Sequence, residues 1–234
     1  MSRAADSAAA GSTPAVRSRG TLRLLLYLLL WLFGRLLFGL WFRFRVRSRP
    51  HPFPQGPLVV AANHVSYLDP IALGAALHRP ITYLITSEVA RQPLFRPWVW
   101  IFDCIVVEAD AVNVEALREA LKVLRGGGVV GIFPEGAISD SGRLAEGQLG
   151  VASLLLQGGA PVLCAGIVGT HEALPRGRRL PRRGTIEVRF GARIEPPARG
   201  GELPAREVRR VLRDQVMAAI AAQLPARMGG SAAE

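Results

Sequence analysis

From residue 51 onward the chain alternates short, β-branched apolar runs with stretches of helical periodicity, a pattern that few folds accommodate. Residues 57–62 (PLVVAA) carry no polar face, as expected of a strand covered on both sides. Residues 71–77 read as a helix and 81–85 as a second strand, and 104–107, 129–133 and 161–168 are further apolar runs of strand length. Helical periodicity occupies 112–124 and is stopped by Gly126, Gly127 and Gly128. Residues 185–190 alternate as a strand with one exposed face. Val208, Val211, Leu212, Val216, Ile220 and Leu224 then mark a closing amphipathic helix. Strands that alternate with helices predict an α/β domain with a mostly parallel, mixed sheet flanked by helices. In such sheets ligands bind at the carboxyl ends of the strands.

The segment before this domain follows different rules. Residues 22–42 (LRLLLYLLLWLFGRLLFGLWF) are apolar apart from Arg23 and Arg35. The length suits a bilayer-spanning helix, but a charge at mid-depth costs about 2.5–3.5 kcal/mol on insertion scales. A span therefore requires Arg35 to snorkel. Arg17, Arg19 and Arg23 precede the segment, and Arg43, Arg45, Arg47 and Arg49 follow it. Positive charge on both flanks gives no orientation. It favours a re-entrant or interfacial helix with both ends on the cytoplasmic face of the cell membrane, monotopic or as a single hydrophobic helix. Arg35 within the apolar stretch, and the lack of a small-residue cleavage site after it, argue against a secretory signal. The division expected is a disordered tail over 1–20, a membrane-associated hydrophobic helical segment over 21–49, a catalytic or binding domain over 50–225, and a disordered tail over 226–234.

The net charge of +11 over 234 residues points to an anionic partner, nucleic acid or a lipid surface. No nucleic-acid-binding motif is present, and aromatic residues interleave with arginines only in the hydrophobic N-terminal segment, so a membrane lipid surface is the expected partner and nucleic acid is not. Cys104 and Cys164 both lie in apolar runs and read as small buried hydrophobes. No metal-ligand spacing occurs, and no cofactor is called for.

Chemistry concentrates at two strand ends. Asn63-His64-Val65-Ser66-Tyr67-Leu68-Asp69-Pro70 directly follows the strand at 57–62. Asp69-Pro70 reads as a helix start, with Asp69 as N-cap and Pro70 as the first helical residue. His64 thus falls in a strand-to-helix turn, where residues five apart can meet. A carboxylate that holds one imidazole nitrogen leaves the other free to take a proton. Phe133-Pro134-Glu135-Gly136 ends another buried run, and parallel strands would bring Glu135 to the same sheet edge as His64. Gly136 permits close backbone approach, with its amide facing a substrate oxygen. A satisfied loop histidine beside a capping aspartate, and a glutamate in a surface turn, are the structural alternatives.

Taken together, His-x4-Asp after a strand, Phe-Pro-Glu-Gly some seventy residues later and an apolar strand ending in glycine resemble the lysophospholipid acyltransferase family, which includes the 1-acylglycerol-3-phosphate acyltransferases. The resemblance runs from about Leu58 to Phe190 and extends over 169–191. It implies O-acyl transfer from acyl-CoA or acyl-carrier protein to a lysophospholipid acceptor in phospholipid biosynthesis. His64 would be the base, Asp69 its orienting partner, and Phe133, Pro134, Glu135 and Gly136 part of the acceptor site. Ser66 need not be a nucleophile, since no acyl-enzyme is required and the Gly-x-Ser-x-Gly setting is absent. His171 reads as a loop residue.

Three positions depart from the family pattern. Ala109, Ile138 and Gln148 stand where relatives carry cations associated with an acceptor phosphate. Arg143, or the arginines of the 176–183 loop, are the substitutes within reach. Two alternatives follow: an acyltransferase whose acceptor lacks a phosphate monoester, or a non-catalytic lipid-binding relative.

Overall fold

The computed structural model describes residues 21–48, 54–93, 95–108, 114–197 and 205–231. The predicted tail at 1–20 and Ala109 lie outside them. Among the described residues seven strands form one sheet in the order β1-β7-β6-β2-β5-β3-β4. They are β1 (Arg43–Arg47), β2 (Leu58–Ala62), β3 (Ile81–Thr86), β4 (Ile105–Val107), β5 (Val129–Ile132), β6 (Val162–Val168) and β7 (Thr185–Ile194). Every neighbouring pair is parallel except β6 and β7, which is the mixed, mostly parallel sheet expected from the alternation.

Strand β2 lies at the centre, between β5 and β6, and all five of its residues are buried. Its period of two divides them between the faces. Leu58, Val60 and Ala62 join a cluster with Leu73 and Leu77 of α2 (Asp69–Ala76 and the residue after it) and Phe38 of α1 (Thr21–Trp41). Val59 and Ala61 join Leu124, Leu155, Val216 and Ile220 on the other face. Those residues come from α5 (Val114–Arg125), α6 (Gly150–Gly158) and α8 (Ala205–Ala221). Short helices α3 (Ser87–Arg91), α4 (Arg96–Ile101) and α7 (Thr170–Ala173) complete the set. Cys164 faces the second cluster, and burial pushes its thiol up to about 12, in keeping with a small hydrophobe.

The structure corrects the N-terminal segment in two ways. The helix stops at Trp41, and residues 43–47, expected to be part of the helical segment, form edge strand β1, parallel to β7 with Arg43 opposite Thr185. Arg35 does not sit alone in an apolar phase. Its Nη1 donates to the Ala75 carbonyl at 3.1 Å and its guanidinium lies over the Trp31 ring, while Trp31 Nε1 donates to the Gly74 carbonyl at 3.1 Å. Both donors thus satisfy carbonyls in the last turn of α2, the negative end of its dipole. Tyr27 packs edge-on against Phe102, and Phe38 is fully buried. One face of α1 is therefore bound to the domain, and among the described residues no helix is long and apolar enough to cross a membrane. The outward face of α1 remains apolar: Leu22, Leu25, Leu29, Leu32, Phe33, Leu36 and Leu40 are all exposed.

The C-terminal end differs from the expected tail as well. Ala226–Met228 form a 3₁₀ turn, Met228 is buried, and its carbonyl accepts from Leu144 N at 2.8 Å. Residues 226–231 are thus packed against the domain.

Candidate active site

The turn after β2 is built from backbone amides converging on one carboxylate. Asp69 is fully buried, and its Oδ2 accepts from Val65 N at 2.6 Å and Ser66 N at 2.7 Å. The same oxygen lies 2.9 Å from His64 Nδ1. Asp69 is therefore not the N-cap of α2, as the Asp-Pro pair suggested. The helix begins at Asp69 itself, Leu68 holds the cap position without a side-chain bond, and the carboxylate turns back to close the loop that precedes it. That turn brings together two residues which a continuous helix would separate by about 140°. With Nδ1–H donated to Asp69, the Nε2 lone pair of His64 has no partner among the described residues, and the side chain keeps 16% of its surface exposed.

Asn63 precedes His64 and was not singled out by its sequence context. Its side-chain amide imitates a strand peptide: Nδ2 donates to Ile167 O at 3.0 Å and Oδ1 accepts from Ile167 N at 2.7 Å. The amide continues the β2–β6 pairing by one residue while the main chain turns out of the sheet toward His64. Ser66 is fully buried, with its hydroxyl donating to Leu174 O at 2.7 Å and accepting from Leu68 N at 3.1 Å. That arrangement makes it part of the turn.

Glu135 meets His64 as the parallel pairing of β2 and β5 implied. One carboxylate oxygen accepts from His64 N at 2.6 Å and the other from Ala145 N at 2.8 Å. Ser139 N donates to His64 O at 2.8 Å, so the His64 backbone is held on both sides by the loop after β5. Phe133 lies flat against the His64 ring, with centroids 4.1 Å apart and planes 18° apart. Pro134 is buried and its carbonyl accepts from Gln148 N at 2.7 Å. Gly136 takes φ +77°, and a Cβ there would lie 2.3 Å from Gln148 Nε2. The close approach that needs glycine is thus to Gln148. The Gly136 amide donates to Phe133 O at 3.0 Å; it closes its own turn, contrary to the expectation that it faces a substrate oxygen.

The remaining candidates spread outward. Arg143 is exposed and its Nη1 donates to Arg227 O at 3.3 Å, on the packed C-terminal segment. His171 lies in α7, with Nδ1 3.3 Å from the Val65 carbonyl, where it supports the turn from behind. Among the loop arginines, Arg176 pairs with Asp140 at 3.5 Å.

Burial raises the pKa of Glu135 above its usual range, and the amides of His64 and Ala145 partly oppose that shift. A carboxyl whose folded pKa is raised binds its proton more readily in the folded state. Its ionised form therefore costs stability at neutral pH, and the cost is relieved as pH falls through the raised value toward the ordinary one. Glu135→Gln removes this dependence. It also turns an amide NH2 toward a backbone N–H, which costs about 1–3 kcal/mol. Chemical denaturation at pH 7 and pH 5 is expected to show a less stable variant at both, with the gap to wild type wider at pH 5. A gap that narrows at pH 5 would contradict this placement of the Glu135 charge.

A buried carboxylate on imidazole, at the carboxyl edge of a mostly parallel sheet, is a general-base arrangement. The acyltransferase family model matches residues 43–168, more than half of the chain, and the chain belongs to that family. It is 28% identical over 159 residues to the probable 1-acyl-sn-glycerol-3-phosphate acyltransferase of Mycoplasma genitalium, covering 61% of this chain and 58% of that protein. With the 1-acyl-sn-glycerol-3-phosphate acyltransferase of Bacillus subtilis it shares 25% identity over 151 residues, covering 64% and 72% respectively. The chain spans about three fifths of the two mycoplasma relatives, 58% and 60% of their lengths. The crystal structure of the 1-acyl-sn-glycerophosphate acyltransferase PlsC from Thermotoga maritima superposes with a TM-score of 0.64 at 24% identity, over 86% of this chain and 82% of that one. It is alike in fold.

Proposed function

We propose that this acyltransferase moves a fatty acyl chain from a thioester, acyl-CoA or acyl-carrier protein, to the free hydroxyl of a lysophospholipid such as 1-acylglycerol 3-phosphate. The observation that carries the reading is the 2.9 Å contact between His64 Nδ1 and the buried Asp69 carboxylate, with Nε2 at the sheet edge and without a partner among the described residues. His64 Nε2 takes the proton of the acceptor hydroxyl as its oxygen attacks the thioester carbonyl. The tetrahedral intermediate collapses, the carbon–sulfur bond breaks, and the leaving thiolate takes the proton back from His64. Asp69 fixes the tautomer and faces the imidazolium formed on the way. Glu135 holds the His64 peptide in place by accepting from its amide with one oxygen while the Ala145 amide anchors the other. The names of the relatives favour a lysophosphatidate acceptor.

The neutral Ile138 and Gln148 favour a second acceptor class, without a phosphate monoester. A phosphate near two charges cannot be desolvated against isoleucine without a replacement donor. Lipid analysis after expression in a strain deficient in lysophosphatidate acyltransferase separates the two. Restored phosphatidate supports the first acceptor, acylation of another lysolipid the second, and no new acylated lipid in either class overturns the assignment.

Access to such acceptors requires a lipid surface, and the outward face of α1 is suited to one. The helix with these exposed leucines and Phe33 leads directly into β1, whose Arg43, Arg45 and Arg47 are exposed, and Arg183 rests over the Trp41 ring at 4.8 Å. Apolar residues enter the headgroup boundary while arginines meet anionic lipid, in an interfacial mode of binding. Leu29 and Phe33 are 62% and 61% exposed, so replacing both with Asp is expected to leave folding stability within about 0.5 kcal/mol. The same change removes about 1.5–3 kcal/mol of burial per side chain from the membrane-bound state. Flotation with anionic liposomes is expected to fall at least ~10-fold; unchanged flotation would place the membrane contact elsewhere.

A further inference from the structure

The hydrogen bond to Asp69 fixes one atom of the His64 ring. The terminal torsion of histidine is broad and two-fold, so a single bond at Nδ1 does not by itself hold the plane in which Nε2 points. A second constraint is present. Phe133 lies face to face with His64 at 4.1 Å, and Tyr83 lies parallel to Phe133 within 6°, at 6.2 Å. Tyr83 is buried and its hydroxyl donates to Pro70 O at 2.7 Å, one residue past Asp69. The contacts form a closed circuit: Asp69 to His64, His64 to Phe133, Phe133 to Tyr83, and Tyr83 back to the first turn of α2.

The strand register explains why the circuit forms. Tyr83 of β3 stands opposite Gly131 of β5. A Cβ on Gly131 would lie 2.7 Å from the Tyr83 ring, so the missing side chain is the space in which that ring lies. Phe133 follows two residues later, on the same face of the strand direction, and continues the stack toward the turn.

We propose that Phe133 is a positioning residue for His64, with Tyr83 as the wall behind it, and that this stack sets the direction of the Nε2 lone pair. The proposal rests on His64 as the base. It gives the phenylalanine of Phe-Pro-Glu-Gly a task other than contact with the acceptor. Without the ring, the imidazole keeps its bond to Asp69 but swings about it, and a misplacement of about 1 Å can cost ~10²-fold in rate.

The test compares wild type, Phe133→Leu, Phe133→Tyr and His64→Ala, all full-length in detergent micelles. Phe133→Leu is expected to lower kcat by about 10–100-fold, with the Michaelis constants for thioester and acceptor within about threefold of wild type. Phe133→Tyr recovers most of the loss. Among the four histidines, the His64 ring protons are identified by their disappearance in His64→Ala. They are expected to move downfield in Phe133→Leu, as the ring current is lost, and to return in Phe133→Tyr. Phe133→Met, which fills the volume without a ring, supplies the same readout if the leucine variant does not fold. Unmoved His64 resonances, a loss confined to the Michaelis constant, or leucine performing as well as tyrosine would each overturn the proposal. An inactive His64→Ala beside a fully active Phe133→Leu refutes the stack alone; an active His64→Ala refutes the underlying mechanism.

Discussion

Replacing His64 with alanine is expected to lower acyl transfer by about 10²–10⁴-fold, the usual contribution of a positioned general base. The fold should survive. The backbone bonds that hold residue 64, from its amide to Glu135 and from Ser139 to its carbonyl, do not involve the imidazole. The side chain is partly exposed, and its loss removes the stack on Phe133, worth about 0.5–1.5 kcal/mol. Initial rates of thiol release with purified protein, beside a thermal melt, check both halves. Near-wild-type activity in a folded variant would remove His64 from the chemistry.

Asp69→Asn is expected to lose a comparable amount of activity for a different reason. In a serine-protease triad the same exchange costs about 10⁴-fold with the geometry intact. Here the asparagine oxygen can still accept from Val65 N and Ser66 N, so the turn closes. The charge that faces the imidazolium is gone, and the new NH2 takes the place of Oδ1, a buried oxygen with no hydrogen-bond partner among the described residues. Burying that NH2 unpaired costs about 1–3 kcal/mol, offset in part because a charge is no longer buried. Stability should therefore shift by less than that range while the rate falls at least ~10²-fold. Asp69→Ala would strand three donors and is expected to destabilise the turn outright. If Asp69→Asn loses activity only in proportion to folded fraction, Asp69 is structural.

The turn that carries these residues was legible because each of its parts has a local signature. A strand with no polar face, a histidine, and Asp-Pro at a helix start occupy consecutive positions, and only a tight turn joins them. Glu135 followed from the parallel pairing alone. What could not be read lies in contacts distant along the chain. Asn63 holds Ile167, 104 residues away, and nothing local distinguishes a strand-mimicking amide from a loop asparagine. Strand β1 (RFRVR) follows an apolar helix with no Gly, Pro or Asn between them to mark a turn, and its partner β7 begins only at Thr185. Arg35 looked like a charge in a hydrophobic phase because its acceptor, Ala75 O, lies 40 residues on. The Asp69 carboxylate was legible as a helix-start signal, but its direction was not. Three amide and imidazole donors lie behind it, and they outcompete the forward cap. The C-terminal residues looked like a tail because the surface they cover, around Leu144, is formed by a loop.

Transfer to a lysolipid hydroxyl through His64 is tested most directly by its stoichiometry. Purified protein in mixed micelles is given a defined acyl thioester with lysophosphatidate, or with a lysophospholipid diester. Free thiol and acylated lipid are then quantified together in each mixture. The expected result is one thiol released per lipid acylated with at least one acceptor, little release without acceptor, and a rate in His64→Ala about 1% of wild type or lower. Thiol release that needs no acceptor, or transfer undiminished by His64→Ala, would contradict it.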